Sequence, residues 1–144
     1  MTPPVEIQRL YLMLLIRRFE EQTFFQFVRP NNPIGGFCGL CSGQEAVAVG
    51  AAESYQRGVD TFVGTFRGHG WTIALGTTPR AVAAELFGRT TGCAKGRGGP
   101  LHLSDAATGN LGTYYVAGAQ LPLGAGAAFA AAYRNTGGVA FVVM

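Results

Sequence analysis

The stretch that most constrains this chain is its last one, G-G-V-A-F-V-V-M. Gly137 and Gly138 form a turn. Val139 to Met144 is then a short, continuous, β-branched apolar run, which is the pattern of a strand buried on both faces. Such strands belong to α/β sheets, and in open sheets of that class ligands bind just beyond the carboxyl ends of the strands. A site is therefore expected where this run ends.

Apolar residues at Leu10, Leu14, Leu15, Phe19, Phe24, Phe25 and Phe27 predict one long amphipathic helix from Val5 to Val28, ended by Pro30 and Pro33. Asn31 to Leu40 is a loop. Ser42 as N-cap with Glu45 three residues on forms a capping box that opens a helix from Gly43 to Tyr55. Asp60 to Gly64 reads as a short strand that delivers Thr65 to Trp71 at its carboxyl end. Pro79 starts a helix over Arg80 to Phe87, and Gly88 closes it. Nothing is periodic from Arg89 to Gly112, and a loop of that length in a compact domain is usually functional or disordered. An Ala-rich helix over Gln120 to Tyr133 leads into the final strand. The fold class is α/β, helix-rich with a partial parallel sheet. Only two good strands are legible, fewer than a stable sheet normally needs.

A chain of 144 residues fits one domain with a core of its own. Of these residues 48% are hydrophobic and only 13% charged, against roughly a quarter charged in an ordinary soluble domain, so part of the surface is expected to be covered. No apolar run approaches the roughly 20 residues of a membrane span, and no membrane role is expected. Met1 to Glu6 has neither a signal peptide's regions nor an Arg-rich transit pattern. The net charge of +3 is scattered among glycines rather than gathered in a stripe, which favours small anionic ligands over nucleic acid.

Four stretches carry groups suited to chemistry. T-F-R-G-H-G, Thr65 to Gly70, sets a guanidinium among glycines at a strand's end, where it can grip a phosphate or carboxylate. The alternative is a surface turn with a solvated Arg67, and His69 is read as satisfying nearby backbone. G-C-A-K-G-R-G-G-P-L-H, Gly92 to His102, can wrap amides and cations around phosphate, or can be a flexible solvated loop; it has neither Walker nor dinucleotide spacing. F-C-G-L-C-S-G-Q-E, Phe37 to Glu45, holds a Cys-x-x-Cys. With three cysteines in the chain and no second pair, buried free thiols are expected rather than a zinc centre, for Cys93 as well. V-A-G-A-Q-L-P-L-G-A-G, Val116 to Gly126, is a turn into a helix whose small residues suit close packing, with Gln120 as a polar side chain at its mouth.

In this order F-C-G-L-C-S-G-Q-E-A, F-R-G-H-G, L-F-G-R-T-T-G-C-A-K-G-R-G-G-P-L-H and V-A-G-A-Q-L-P-L-G-A-G resemble one family. It is that of the alpha subunits of thiamine diphosphate-dependent pyruvate dehydrogenase, the decarboxylating component of the pyruvate dehydrogenase complex. The resemblance runs from about Leu14 to the last residue. It implies the amino-terminal portion of a thiamine diphosphate-binding fold, with a helical arm over about 5–28 and a cofactor-binding core over about 34–144. It also implies thiamine diphosphate and magnesium as cofactors, pyruvate as substrate, a beta subunit that supplies the activating glutamate, and a lipoyl-bearing acetyltransferase component that receives the two-carbon unit. The implied compartment is the mitochondrial matrix or a bacterial cytoplasm.

Residue by residue, the resemblance gives Arg67 the diphosphate contact of the family's Tyr-Arg pair, with Phe66 in the Tyr position. It places Tyr115 and Ala117 where backbone groups meet the aminopyrimidine ring and where members usually carry Gly and Val. A His that follows the first Cys and faces the substrate is Gly39 here. No catalytic residue is implied within the chain.

In the family, the strand matching Val139 to Met144 runs at once into Gly-Asp-Gly, with an Asn further on, and these hold magnesium. The regulatory serines of eukaryotic relatives also lie in that later part. The expectation is that these 144 residues alone are inactive. Two other readings stay open: an acetoin or branched-chain 2-oxo acid dehydrogenase alpha subunit, and a short non-catalytic chain that at most binds a partner subunit.

Overall fold

The computed structural model describes residues 3–144; Met1 and Thr2, part of the start read for a leader, lie outside the described residues. The elements in order are α1 (Val5–Phe27), α2 (Glu45–Ala52), β1 (Thr61–Thr65), α3 (His69–Ala74), α4 (Pro79–Leu86), a 3-10 turn (Ala106–Thr108), β2 (Asn110–Tyr114), α5 (Gln120–Tyr133) and β3 (Ala140–Val142). The three strands form one parallel sheet in the order β2-β1-β3. The chain is thus α/β and helix-rich, and the sheet has a third strand that the sequence pattern hid.

The hidden strand is β2, N-L-G-T-Y. Its pairing with β1 slips between Phe62 and Val63, so that Asn110 and Gly112 oppose consecutive residues and Leu111 bulges out. A bulge carrying Asn and Gly has neither the alternation nor the apolar run by which strands are recognised. Asn110 is buried because its side chain is used up locally: it donates to Thr72 Oγ1 (3.1 Å) and accepts from the Gly112 amide (3.0 Å).

α1 forms as expected but presents a different face. Leu10, Leu14, Phe24 and Phe25 are exposed, whereas Ile16, Glu20 and Thr23 are buried. Polar contacts set this rotation. Arg9 pairs with Glu53 and Arg17 with Glu45, which turns the stripe containing Ile16, Glu20 and Thr23 towards α2 and α3.

α2 is shorter than the capping-box reading. Ser42 caps nothing, and the helix starts at Glu45 after Gln44. Only the return half of the box is made: the Glu45 carboxylate accepts from the Gly43 amide at 3.0 Å. Its other partner, Arg17, replaces the serine as the group that fixes the helix start. In α4, Thr78 Oγ1 accepts from the Ala81 amide at 3.2 Å with Pro79 as the first residue, so this helix begins one residue earlier than expected.

The core lies between α1, α2, α3 and β1. Phe62 and Trp71 stack with ring centroids 5.4 Å apart, and Ile16, Ile34, Val82 and Leu103 are fully buried around them. α3, read only as a segment following a strand, is a short helix because all six of its residues are buried against α1, α2 and α4. α5 packs on β1 and β3. Among the described residues no helix is long and apolar enough to cross a membrane.

Candidate functional site

All three strands point their carboxyl ends at one cavity of about 400 Å3. Thr65, Phe66 and Arg67 reach it from β1, Tyr115 and Ala117 from the turn after β2, and Val143 and Met144 from β3. Gln120, the first residue of α5, and Gln44 and Val47 at the start of α2 close its sides. The central strand is flanked by its sequence successors on opposite edges, the arrangement that opens a crevice above parallel strands. The four residues drawn from the motifs, Phe66, Arg67, Tyr115 and Ala117, are therefore brought together.

One cation faces this cavity. Arg67 is exposed; its Nη1 donates to the Leu40 carbonyl at 2.5 Å and its backbone amide to Thr65 Oγ1 at 3.3 Å. The guanidinium is thereby tethered at one nitrogen, and its other N–H groups remain available to an anion. Its Cζ lies 5.3 Å from the centre of the Phe66 ring. Phe66, Phe37 and Tyr115 form a three-ring cluster with centroid separations of 5.7, 6.1 and 5.5 Å. Phe37 packs against these two rings without itself lining the cavity.

Gln120 carries the other polar feature of the wall. Its Nε2 donates to the Tyr114 carbonyl at 3.1 Å, which pins the end of β2 to the start of α5. Its Oε1 is buried and has no hydrogen-bond partner, an unusual condition for a buried acceptor. A guanidinium, an unsatisfied acceptor and aromatic walls fit a ligand that has an anionic end and a flat ring bearing donors. Among the described residues no Asp or Glu side chain lines the cavity, so the residues present do not fit a magnesium ion.

The glycine-rich loop behaves differently from a phosphate cradle. Its amides do wrap an anion, but the anion is the buried carboxylate of Glu85 from α4. Ala94 and Gly96 donate to Oε2, both at 2.8 Å, and Gly98 and Gly99 donate to Oε1 at 2.7 and 3.3 Å. With these amides committed, the exposed side chains of Lys95, Arg97 and His102 are what the loop presents outward. Nothing in the sequence distinguished Glu85 from a surface helix residue; the unclaimed amides of the loop were the only hint that an acid was needed.

His69 satisfies backbone, as read, and has a charged partner as well. Its Nε2 donates to the Pro100 carbonyl at 3.0 Å, and its Nδ1 lies 3.1 Å from Glu20 Oε2, all fully buried. The three cysteines are free, Cys41 buried and Cys38 and Cys93 half-buried. Burial pushes the Cys38 and Cys93 thiols up to about 11, and burial together with Glu20 raises Cys41 further. Thiols raised in this way suit free cysteines rather than a redox pair.

A parallel α/β sheet with a cation and flat walls at its carboxyl edge, carrying these motifs in this order, defines the class. The chain belongs to the dehydrogenase E1 component family, whose model matches residues 11–144. It is 43% identical over 132 residues to the pyruvate dehydrogenase E1 component subunit alpha of Rickettsia bellii, covering 92% of this chain and 40% of that protein. It is 46% identical over 126 residues to the subunit of the same name from Zymomonas mobilis, covering 88% and 35%. It is 40% identical over 131 residues to the mitochondrial one of Saccharomyces cerevisiae, covering 91% and 30%. The chain thus spans between 30% and 40% of the length of these curated relatives.

Proposed function

We propose that this chain forms the thiamine diphosphate-facing portion of a 2-oxo acid dehydrogenase alpha subunit acting on pyruvate, with the acetyl unit passed to a lipoyl group on an acetyltransferase component. The observation that carries this reading is the cavity at the carboxyl ends of three parallel strands, with Arg67 as its one cation and Tyr115 and Ala117 on the facing turn.

When bound, the cofactor supplies the carbon nucleophile for the 2-oxo carbonyl and the electron sink for decarboxylation. The chain's own residues bind and orient. Arg67 holds the diphosphate through the N–H groups that Leu40 leaves free. The backbone at Tyr115 and Ala117 would meet the aminopyrimidine ring, and the Phe66 and Tyr115 rings line that side of the cavity. Phe66 offers an aromatic face where a tyrosine would offer a hydroxyl, so Arg67 carries the phosphate contact of that pair alone. In this reading magnesium is held by residues outside these 144, and the isolated chain is inactive.

Exposed Val116, Leu121, Phe129 and Tyr133 support a surface covered by a partner, for which a beta subunit is proposed. For the compartment a bacterial cytoplasm or a mitochondrial matrix is proposed, with support from the bacterial relatives and the mitochondrial one of yeast. The test uses protein purified from its source and identified by peptides from Gly43 to Arg57. The reading expects co-purification with a second subunit and release of carbon dioxide from pyruvate that depends on thiamine diphosphate. Release from branched-chain substrates or acetoin cleavage in place of pyruvate would move the substrate assignment. A 144-residue protein without any such activity would favour the non-catalytic alternative, a chain that only binds a partner.

A further inference from the structure

Glu20 and His69 are both fully buried, and two ionisable groups in a core are seldom retained for stability, because an apolar pair of similar volume usually serves as well. What they hold is informative. Glu20 Oε1 accepts from the Cys41 amide at 3.3 Å and from the Cys41 thiol at 2.9 Å, while Oε2 meets His69 Nδ1. The Pro100 carbonyl can only accept, so His69 Nε2 carries a hydrogen and Nδ1 shares one proton with Glu20.

The Cys41 amide belongs to the same peptide group as the Leu40 carbonyl, and that carbonyl accepts from Arg67 Nη1 at 2.5 Å. The Leu40–Cys41 peptide is trans, as no cis peptide bond occurs among the described residues, so its two ends point in opposite directions. A continuous line results: Glu20 carboxylate, Cys41 N–H, Leu40 C=O, Arg67 guanidinium. A carboxylate at the N–H end polarises the peptide and strengthens its carbonyl as an acceptor. His69 closes the other side, being two residues beyond Arg67 and anchored to both Glu20 and Pro100.

We propose that Glu20 and His69 are positioning residues for Arg67, acting through the single peptide group between Leu40 and Cys41. Its functional weight rests on the reading of Arg67 as the diphosphate contact; the coupling itself does not.

The test is nuclear magnetic resonance of the 144-residue chain with labelled arginine, without cofactor. In the unmodified chain an Arg67 Nη–H resonance is expected to be resolved, with scalar coupling across the hydrogen bond to the Leu40 carbonyl. Glu20→Gln keeps the shape and an acceptor but removes the charge. The coupling should then be lost, and exchange of the Cys41 amide should accelerate by about tenfold or more. Val82→Ala, in the core of α4, should lower the melting temperature and leave both signals in place. If Glu20→Gln does not fold, His69→Gln, which retains a donor for Pro100, is read by the same two signals. Arg67 and Cys41 signals unchanged in a folded Glu20→Gln or His69→Gln chain would overturn the proposal. Failure of thiamine diphosphate to bind the native assembly would instead remove the diphosphate reading and leave this coupling standing.

Discussion

Gly39 lies directly beneath Phe66: a Cβ at position 39 would collide with the Phe66 ring and sit 2.8 Å from the Phe66 carbonyl oxygen. Gly39 and Phe66, two of the positions read as departures from the pyruvate dehydrogenase motifs, therefore form a single packing arrangement. The ring of Phe66 takes the space that a side chain at 39 would need. Gly39→Ala should destabilise the chain by about 1–3 kcal/mol, the usual range for overpacking. Adding Phe66→Ala should recover only part of it, because the carbonyl contact remains. Urea unfolding of the single and double variants checks this, and strictly additive losses would contradict the contact.

The Glu85 carboxylate organises the glycine-rich loop by accepting four amides. Glu85→Gln keeps the volume but turns an NH2 group towards two of those donors. The expected loss is about 2–4 kcal/mol, from amides left unsatisfied in a buried place. Hydrogen exchange at Ala94, Gly96, Gly98 and Gly99 should accelerate before the rest of the chain opens.

Glu45 gives a pH signature. Its bond to Arg17, helped by the Gly43 amide, draws its carboxyl from an ordinary 4.5 down to about 2. A carboxyl with a depressed folded value adds stability that is complete above about 4.5 and is lost as pH falls from there towards 2. Arg17→Met should lower the melting temperature at pH 7, and the gap from the unmodified chain should close across that acid window. A gap that stays constant down to pH 2 would contradict the pairing.

The Cys-x-x-Cys segment should be chemically quiet. With Cys38 and Cys93 at about 11 rather than an ordinary 9, each presents about a hundredfold fewer thiolates at neutral pH than a free cysteine. Alkylation by iodoacetamide of the folded chain, followed by mass spectrometry, should be slow at all three cysteines and fast after unfolding. Rapid labelling of Cys38 in the folded chain would overturn this.

α1, α2, α4, α5 and the strands β1 and β3 were legible because their signals are local: apolar spacing in α1, Pro79 at the start of α4, the β-branched run before the chain's end, although β3 is an edge strand of half-buried residues rather than one buried on both faces. What escaped depends on distant partners. β2 is disguised by its bulge at Leu111, and the buried face of α1 is chosen by Glu45, Glu53 and His69, none of them near in sequence. Arg67, Phe66, Tyr115 and Ala117 were found because strand ends and glycines mark them. Phe37, Glu20 and Glu85 were not, since an aromatic in a loop and an acid in a helix look like ordinary surface residues until the fold closes over them.

The most direct test is a crystal structure of the native assembly grown with thiamine diphosphate and magnesium. The account predicts the diphosphate within hydrogen-bond distance of the Arg67 guanidinium, and the aminopyrimidine ring against the backbone of Tyr115 and Ala117, in the cavity above the three strands. A cofactor seated against Lys95 and Arg97 on the glycine-rich loop, with that cavity filled by the Phe66 and Tyr115 rings, would contradict it.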